Sequence, residues 1–289
     1  MLLPQEWNRY LVSQDEMARS YHLTGDLNRS WMKKFIAYLC SFYGIDSRLE
    51  TIESVVHKAS FTHIRKTQPV PLAAVFAYTN QGEWNRLLAA AIPAITAGTE
   101  ETAVFLIKQG QQEPSPDILT SLELAGIENI YLVEISQAES AAEVLAETGK
   151  AALMNLCQDN KADGMDRKLS SNPKYLKLSS QPDMRALIWA DGINVWNYEI
   201  ISWANPSMQC TVAGPEADKA PDNFVRTDAP LQELLEEPFD VFFGPDDIFK
   251  SCNIPRGFSQ DMEPFWIWTE LNTGFFKQNR VYWKEITRV

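Results

Sequence analysis

The chain has 289 residues and a formal net charge of −12, with hydrophobic residues at 45% and charged residues at 22%. This composition predicts a folded globular protein and excludes a largely disordered one, and the length allows one large domain or two smaller ones. The acidic balance argues against a nucleic-acid partner, because binding to a phosphate backbone needs clustered Lys and Arg.

The first residues lack the basic start and apolar core of a secretory signal, and no apolar run is long enough for a membrane helix. The four cysteines are far apart and form no C-x-x-C pair, which is typical of reduced, buried thiols. We therefore expect a cytoplasmic protein with no membrane partner.

Residues 1–66 are predicted to form an N-terminal helical segment. Asp26 is placed to cap one helix, Gly44 is placed to end it, and a further helix is expected over residues 47–66. The segment shows no catalytic motif of its own.

From residue 70 the pattern changes to short apolar strands that alternate with amphipathic helices. The predicted strands cover residues 72–78, 102–107, 130–133, 151–156, 186–190, 209–213 and 239–243. The predicted helices cover residues 84–97, 116–124, 137–147, 195–204 and 231–235. This order predicts an α/β fold with a Rossmann-like, mainly parallel sheet and helices on both faces. The α/β region covers residues 67–250, and it either forms one unit or divides into two lobes near residues 158–184.

Residues 251–289 form a C-terminal tail that is rich in aromatic side chains. Two explanations are open. The tail either forms a dimer contact or ligand lid, or it packs on the protein's own core, and the second is the more common role of such a segment.

The usual signatures of nucleotide binding and of histidine catalysis are absent. No G-x-G-x-x-G or G-x-x-x-x-G-K-[ST] run occurs, and the only histidines are His22, His57 and His63. On a helix, His57 and His63 would not share a face, and a Ser-His-Asp triad built within the α/β region is excluded. A thiol nucleophile is conceivable at Cys210 or Cys252, but no adjacent base is visible.

Polar residues follow several of the predicted strands, at the sheet edge where α/β proteins bind ligands. From this set Asp191, Glu216 and Asp246 are candidate catalytic residues, together with Cys252. Such residues also serve as turn and helix-cap residues, so either role is open for each one alone.

Three runs in the α/β region recur in the order and spacing of a known family. They are YTNQG at residues 78–82, IPAITAG at residues 92–98 and LAGIENIY at residues 124–131. They resemble motifs of histidinol dehydrogenase, a zinc- and NAD-dependent enzyme with an aldehyde-dehydrogenase-like fold. Beyond residue 145 the resemblance weakens, and the chain is shorter than the members of that family.

The resemblance implies an NAD site. The family's NAD-contacting tyrosine, glutamine and asparagine correspond to Tyr78, Gln137 and Asn160. Asn80 and Gly82 lie in the same loop as Tyr78 and complete the predicted cofactor-binding set.

The resemblance does not extend to the zinc site. Trp203 and Pro206 occupy the positions of a glutamine and a histidine that bind zinc in the family, and neither side chain can do so. Ala217 stands where the family has a histidine of its acid/base pair. We therefore expect no metal site and no zinc-dependent oxidation of histidinol.

Three hypotheses follow. The protein is an NAD(H)- or nucleotide-binding pseudoenzyme or regulator, a repurposed NAD-linked oxidoreductase acting on another small aldehyde or alcohol, or a non-catalytic interaction protein. The first is preferred because Tyr78, Gln137 and Asn160 are retained, and its expected partner is a small molecule or nucleotide. The family resemblance also allows a homodimer.

Overall fold

A computed structural model describes residues 3–44, 50–58, 61–79, 83–110, 112–157, 162–178 and 184–285. Its helices are α1 Gln14–Leu23, α2 Asp26–Tyr43, α3 Trp84–Thr96, α4 Pro116–Leu124, α5 Ile135–Thr148, α6 Asp163–Leu169, α7 Tyr198–Ala204, α8 Leu231–Glu236 and α9 Asp246–Phe249. Its strands are β1 Thr51–His57, β2 Phe61–Pro69, β3 Leu72–Tyr78, β4 Glu101–Ile107, β5 Asn129–Val133, β6 Ala151–Asn155, β7 Tyr175–Lys177, β8 Arg185–Trp189, β9 Gln209–Ala213, β10 Val225–Thr227, β11 Val241–Phe243, β12 Arg256–Phe258 and β13 Lys277–Glu285.

The N-terminal helices differ slightly from the prediction. The N-cap of α2 is Gly25, so that Asp26 lies in the first turn, where its charge favours the positive end of the helix. Gly44 ends the helix at a φ of 69°, as predicted, because glycine adopts positive φ at little cost. No helix among the described residues combines the length and apolar character needed to cross a bilayer.

The helix predicted over residues 47–66 is wrong. The described part of that segment forms β1 and the start of β2, which pair antiparallel, and β13 pairs antiparallel with the other edge of β2. β1 and β13 are largely exposed, β2 is largely half-buried, and all three are rich in polar residues, so they carry no strong apolar period. The segment 1–66 is therefore helical only in part.

Five parallel strands in the order β5-β4-β3-β6-β7 form the first parallel sheet. Every residue of β3 and β6 is buried, which explains their apolar sequences, interrupted only by Asn155 at the end of β6. On one face Phe76, Phe105 and Tyr131 stack with ring centroids 4.8 and 5.0 Å apart, and Trp7 meets Phe105 edge-on. The apolar face of α5 belongs to the same core cluster.

A second set of five parallel strands has the order β10-β9-β8-β11-β12. Its core includes Leu187, Ala213 and Phe242, together with Leu234 of α8. The predicted α/β class with parallel sheets is confirmed. The strands β7, β10, β12 and β13 were not predicted from the sequence.

The chain folds into two compact units. The first contains residues 1–80, 87–178 and 268–289, and the second contains residues 81–86 and 179–267. Each parallel sheet lies in one unit. The domain boundaries expected at residues 66 and 250 stay predictions.

Most of the C-terminal aromatic segment is buried. Trp266 lies in the second unit, and the guanidinium carbons of Arg86 and Arg256 are 4.6 and 4.7 Å from its ring centroid. Trp268 and Phe276, in the first unit, are also buried. The explanation of a tail packed on the core fits these residues, whereas Tyr282 and Trp283 on β13 are exposed.

Candidate functional site

The first parallel sheet has a switch point between β3 and β6. These strands are neighbours, yet the chain continues from β3 to β4 on one side and from β6 to β7 on the other. Their carboxyl ends therefore lead into connections that diverge, and ligands of open α/β sheets bind in the crevice so formed. Thr79 follows β3 and Leu156 follows β6 at this edge.

Tyr78 is the only predicted cofactor residue of this crevice among the described ranges. It is the last residue of β3, 3% exposed, and belongs to the hydrophobic core of the first unit. Asn80, Gly82 and Asn160 lie outside the described residues. The cofactor roles of all four stay predictions.

Gln137 has a structural role at the start of α5. Its Oε1 accepts a hydrogen bond from the backbone N–H of Glu134 at 2.8 Å, and the Glu134 side chain accepts one from the Gln137 backbone. This reciprocal capping box satisfies two helix-end donors. Moreover, α5 follows β5, which β4 separates from β3. The cofactor role of Gln137 stays a prediction.

Thr79 is a residue that the sequence did not distinguish from its polar neighbours. It is 1% exposed, and its backbone N–H donates to the carbonyl of Ile107 at 3.0 Å. Its Oγ1 is buried and has no hydrogen-bond partner among the described residues. Since an unsatisfied buried hydroxyl is costly, this atom suits a polar group of a ligand in the crevice. The only signal in the sequence is a polar residue directly after an apolar strand.

A polar network borders the same sheet edge beside β6 and β7. Asp166 of α6 accepts hydrogen bonds from Asn155 Nδ2 at 2.8 Å, from the Tyr175 hydroxyl and from Lys177 Nζ at 2.6 Å. Asn155 is fully buried, and its Oδ1 accepts from the backbone N–H of Cys157 at 2.9 Å. The network fixes the start of the chain segment that leaves β6.

The charges of this network are held in place at neutral pH. Burial alone would raise the pKa of Asp166, but hydrogen bonds from Lys177, Tyr175 and Asn155 lower it below its ordinary value. Burial and the adjacent Asp166 carboxylate raise the pKa of Tyr175. The carboxylate therefore stays ionised and the phenol stays a donor. The sequence offered only the Tyr-x-Lys spacing, which puts both side chains on one face of a strand.

The second parallel sheet has its own switch point between β8 and β11, because the chain continues from β8 to β9 and from β11 to β12. Asp191 follows β8. Its Oδ1 accepts from the backbone N–H groups of Ile193 and Asn194 at 2.9 and 2.8 Å. Burial would raise the pKa of Asp191, but these bonds and one from the Asn194 side chain lower it. Asp191 organises its own loop.

Glu216 and Asp246 lie at the same edge of this sheet. The Glu216 side chain packs beside Gly192, where an added Cβ would be 3.3 Å from its carboxyl carbon, and it forms an ion pair with Lys219. Asp246 follows β11 and is paired with Lys250 at 2.6 Å in full exposure. The structure thus brings Glu216 to the Asp191 loop and gives each carboxylate a local partner.

Cys252 lies at the other edge of the sheet. It falls between α9 and β12, near the amino ends of the strands, and its Sγ donates to the carbonyl of Phe249 at 3.2 Å. It lines an open surface cavity of about 740 Å³ beside Glu236 and Glu237. Burial raises the pKa of Cys210 to about 12, so this thiol stays protonated at neutral pH. The structure does not group either thiol with Asp191.

Glu263 is a further buried carboxyl that sequence reasoning missed. It is 2% exposed, its Oε1 accepts from the backbone N–H of Asn197 at 3.4 Å, and its Oε2 has no partner among the described residues. Burial raises its pKa. It follows the strand β12 and Asp261, which has a φ of 67°. The loop therefore reaches from β12 to the segment after β8.

Within the described ranges, no three or more His, Cys, Asp or Glu side chains are grouped closely enough to hold a metal ion. The expected loss of the zinc site stays a prediction from the sequence.

Comparisons with known proteins identify the architecture. No protein-family model and no curated protein matches the sequence. Among solved structures, a histidinol dehydrogenase from Elizabethkingia anophelis is similar over 96% of this chain and 77% of its own, with 13% identity and a TM-score of 0.62.

Two aldehyde dehydrogenases extend this likeness. A betaine aldehyde dehydrogenase point mutant from Staphylococcus aureus in complex with NAD+ is similar over 95% of this chain and 84% of its own, with 7% identity and a TM-score of 0.52. A putative aldehyde dehydrogenase from Anabaena variabilis is similar over 99% and 93%, with 10% identity and a TM-score of 0.51. The chain therefore has an aldehyde-dehydrogenase-like α/β fold.

Proposed function

We propose that this protein binds NAD(H), or a chemically related nucleotide, at the crevice between β3 and β6 of the first parallel sheet, without zinc-dependent catalysis. The observation that carries the proposal is the buried Thr79 hydroxyl, which lacks a partner among the described residues at the sheet edge where such folds bind ligands.

Within this proposal, Thr79 donates to or accepts from a polar atom of the nucleotide. Tyr78, directly before it, lies in the hydrophobic core. Asn80, Gly82 and Asn160 lie outside the described residues and stay candidate contacts. Bound NAD would supply hydride-transfer chemistry, and these residues would bind and orient it.

The proposal that the protein is not catalytic rests on the local contacts of the candidate catalytic residues. Asp191, Glu216 and Asp246 are each held by local hydrogen bonds or ion pairs. Cys210 has a raised pKa, and Cys252 lies at the opposite edge of its sheet from Asp191. These features support a pseudoenzyme or regulator over a repurposed oxidoreductase.

Calorimetric titration of the full chain with NAD+ and with NADH tests the binding. We expect saturable binding of at least one form, weakened roughly 5- to 10-fold in Thr79→Val, the loss expected for one hydrogen bond. The matched control is Thr99→Val. The Thr99 hydroxyl is also buried without a partner among the described residues, but it precedes β4, at the amino edge of the same sheet. Absence of saturable binding at millimolar concentrations of both forms would overturn the proposal.

A second assay separates the pseudoenzyme from the oxidoreductase. The full chain is incubated with NAD+ and a panel of small aldehydes and alcohols, and NADH absorbance is followed. We expect no turnover. Turnover that persists in Cys252→Ala but disappears in Glu216→Gln would instead establish an oxidoreductase that uses the second sheet.

A further inference from the structure

Two of the three histidines meet on the antiparallel sheet. The Nε2 atom of His57 lies 2.7 Å from the Nδ1 atom of His63. In the register of β1 and β2, His57 is opposite Phe61 and His63 is opposite Val55, so both imidazoles project from the same face of the sheet. Both side chains are half-buried.

We propose that His57 and His63 form a binding site for a borderline divalent transition-metal ion, of the Ni²⁺, Cu²⁺ or Zn²⁺ class. The site is on the three-stranded sheet, and none of its residues matches the zinc-ligand positions of histidinol dehydrogenase. Imidazole nitrogen is a preferred ligand of these ions, whereas Mg²⁺ and Ca²⁺ require oxygen.

The spacing of the two nitrogen atoms suits a chelate. Two ligands in adjacent positions, each about 2.0 to 2.1 Å from a metal ion, lie roughly 3 Å apart. The two nitrogen atoms therefore need to separate by only a few tenths of an ångström. The rings, whose centroids are 5.0 Å apart, must also turn so that both lone pairs point at the ion, and side-chain rotation supplies this change. Water completes the coordination, since no third His, Cys, Asp or Glu joins the pair among the described residues.

Metal binding requires one proton to move within the histidine pair. In the metal-free pair, one ring donates its N–H and the other accepts, so one of the facing nitrogens carries a proton. On metal binding that ring transfers its proton to its second nitrogen through solvent. Both facing lone pairs then bind the ion. No oxidant and no net proton release are required.

Aromatic neighbours hold the rings in place. Phe61 stacks on His57 with a centroid distance of 4.2 Å and an interplanar angle of 13°. The Trp283 ring lies 5.7 Å from the His63 ring and 5.1 Å from the Phe61 ring. This packing limits the rotamers of the pair before the ion binds, which reduces the entropy lost on binding. It also places an indole close enough to report on a paramagnetic ion.

The chain offers a matched internal control. His22 of α1 is the third histidine, and its ring contacts Tyr21 rather than another imidazole. In the proton NMR spectrum of the unmodified chain, substoichiometric Ni²⁺ should broaden the imidazole resonances of two histidines and spare the third. Because this measurement uses the native sequence, it does not depend on whether a variant folds.

Calorimetric titration with NiCl₂ in a non-chelating buffer then assigns the site. We expect one saturable site per chain, an affinity at least tenfold lower in His57→Gln and in His63→Gln, and no change in His22→Gln. Trp283→Phe should keep the binding and lose Ni²⁺-dependent fluorescence quenching. Equal broadening of all three histidines, or unchanged affinity in both His57→Gln and His63→Gln, would overturn the proposal.

Discussion

Replacement of Asp166 by alanine tests the polar network beside β6 and β7. The carboxylate accepts hydrogen bonds from Asn155, Tyr175 and Lys177, which belong to two different strands. Asp166→Ala removes the common acceptor and leaves the Asn155 amide buried without this partner. Asp163→Ala, on the exposed first turn of the same helix, is the matched control.

The expected cost follows from the burial of each donor. The fully buried Asn155 amide loses a bond to a charged acceptor, which costs about 2 kcal/mol. The half-buried Tyr175 hydroxyl adds about 1 kcal/mol. Lys177, with 41% of its side chain exposed, adds at most about 0.5 kcal/mol because water screens the pair. We therefore expect Asp166→Ala to lower the free energy of unfolding by about 3 kcal/mol, and Asp163→Ala by less than about 1 kcal/mol.

Urea denaturation at neutral pH, followed by tryptophan fluorescence and far-ultraviolet circular dichroism, measures this difference. The pKa of Asp166 is lowered in the folded protein, so its contribution is complete above the ordinary aspartate pKa of about 3.9. The contribution is lost as pH falls through the lower folded pKa. The difference in free energy of unfolding between the native protein and Asp166→Ala should therefore disappear in acid. Equal costs for Asp166→Ala and Asp163→Ala would refute the network's role.

Two further changes have distinct expected outcomes. Glu263→Gln should raise the free energy of unfolding at neutral pH by about 1 kcal/mol, because burial raises the folded pKa of Glu263 and its stabilising protonated form is lost as pH rises through that value. Denaturation between acid and neutral pH should show that the free energy of unfolding falls less steeply in Glu263→Gln than in the native chain. An equally steep fall in both proteins would contradict this. Trp266→Ala should lower the free energy of unfolding by about 3 to 5 kcal/mol because Trp266 is 1% exposed. Trp283→Ala, at 63% exposure, should lower it by less than about 1 kcal/mol. Thermal melts compare the two variants, and equal losses of stability would show that burial does not set the cost.

The parallel sheets could be predicted because of how they are buried. A strand such as Leu72–Tyr78 is covered on both faces, so all its residues are apolar and it stands out from its flanks. β1 and β2 have no such signature. Their exposed faces carry polar and charged residues, and β13, the second partner of β2, is distant in the chain. Local periodicity contains no information on that pairing.

The candidate site was predictable at the level of the sheet edge but not of its atoms. The alternation of strands and helices predicts a parallel sheet, whose carboxyl edge includes the ends of β3 and β8. The capping role of Gln137 was not foreseen, although a glutamine three residues after Glu134 has the spacing of a capping box. The orphan hydroxyl of Thr79 and the buried carboxyl of Glu263 depend on tertiary packing, which a single sequence does not specify.

The pairing of β13 with β2 has a consequence for synthesis on the ribosome. Phe61 at the start of β2 pairs with Glu285, so one edge of β2 stays open until residue 285 has been translated. During that interval its backbone N–H and C=O groups could pair with another nascent copy, as unprotected strand edges do. Pairing with β13 then covers this edge of β2.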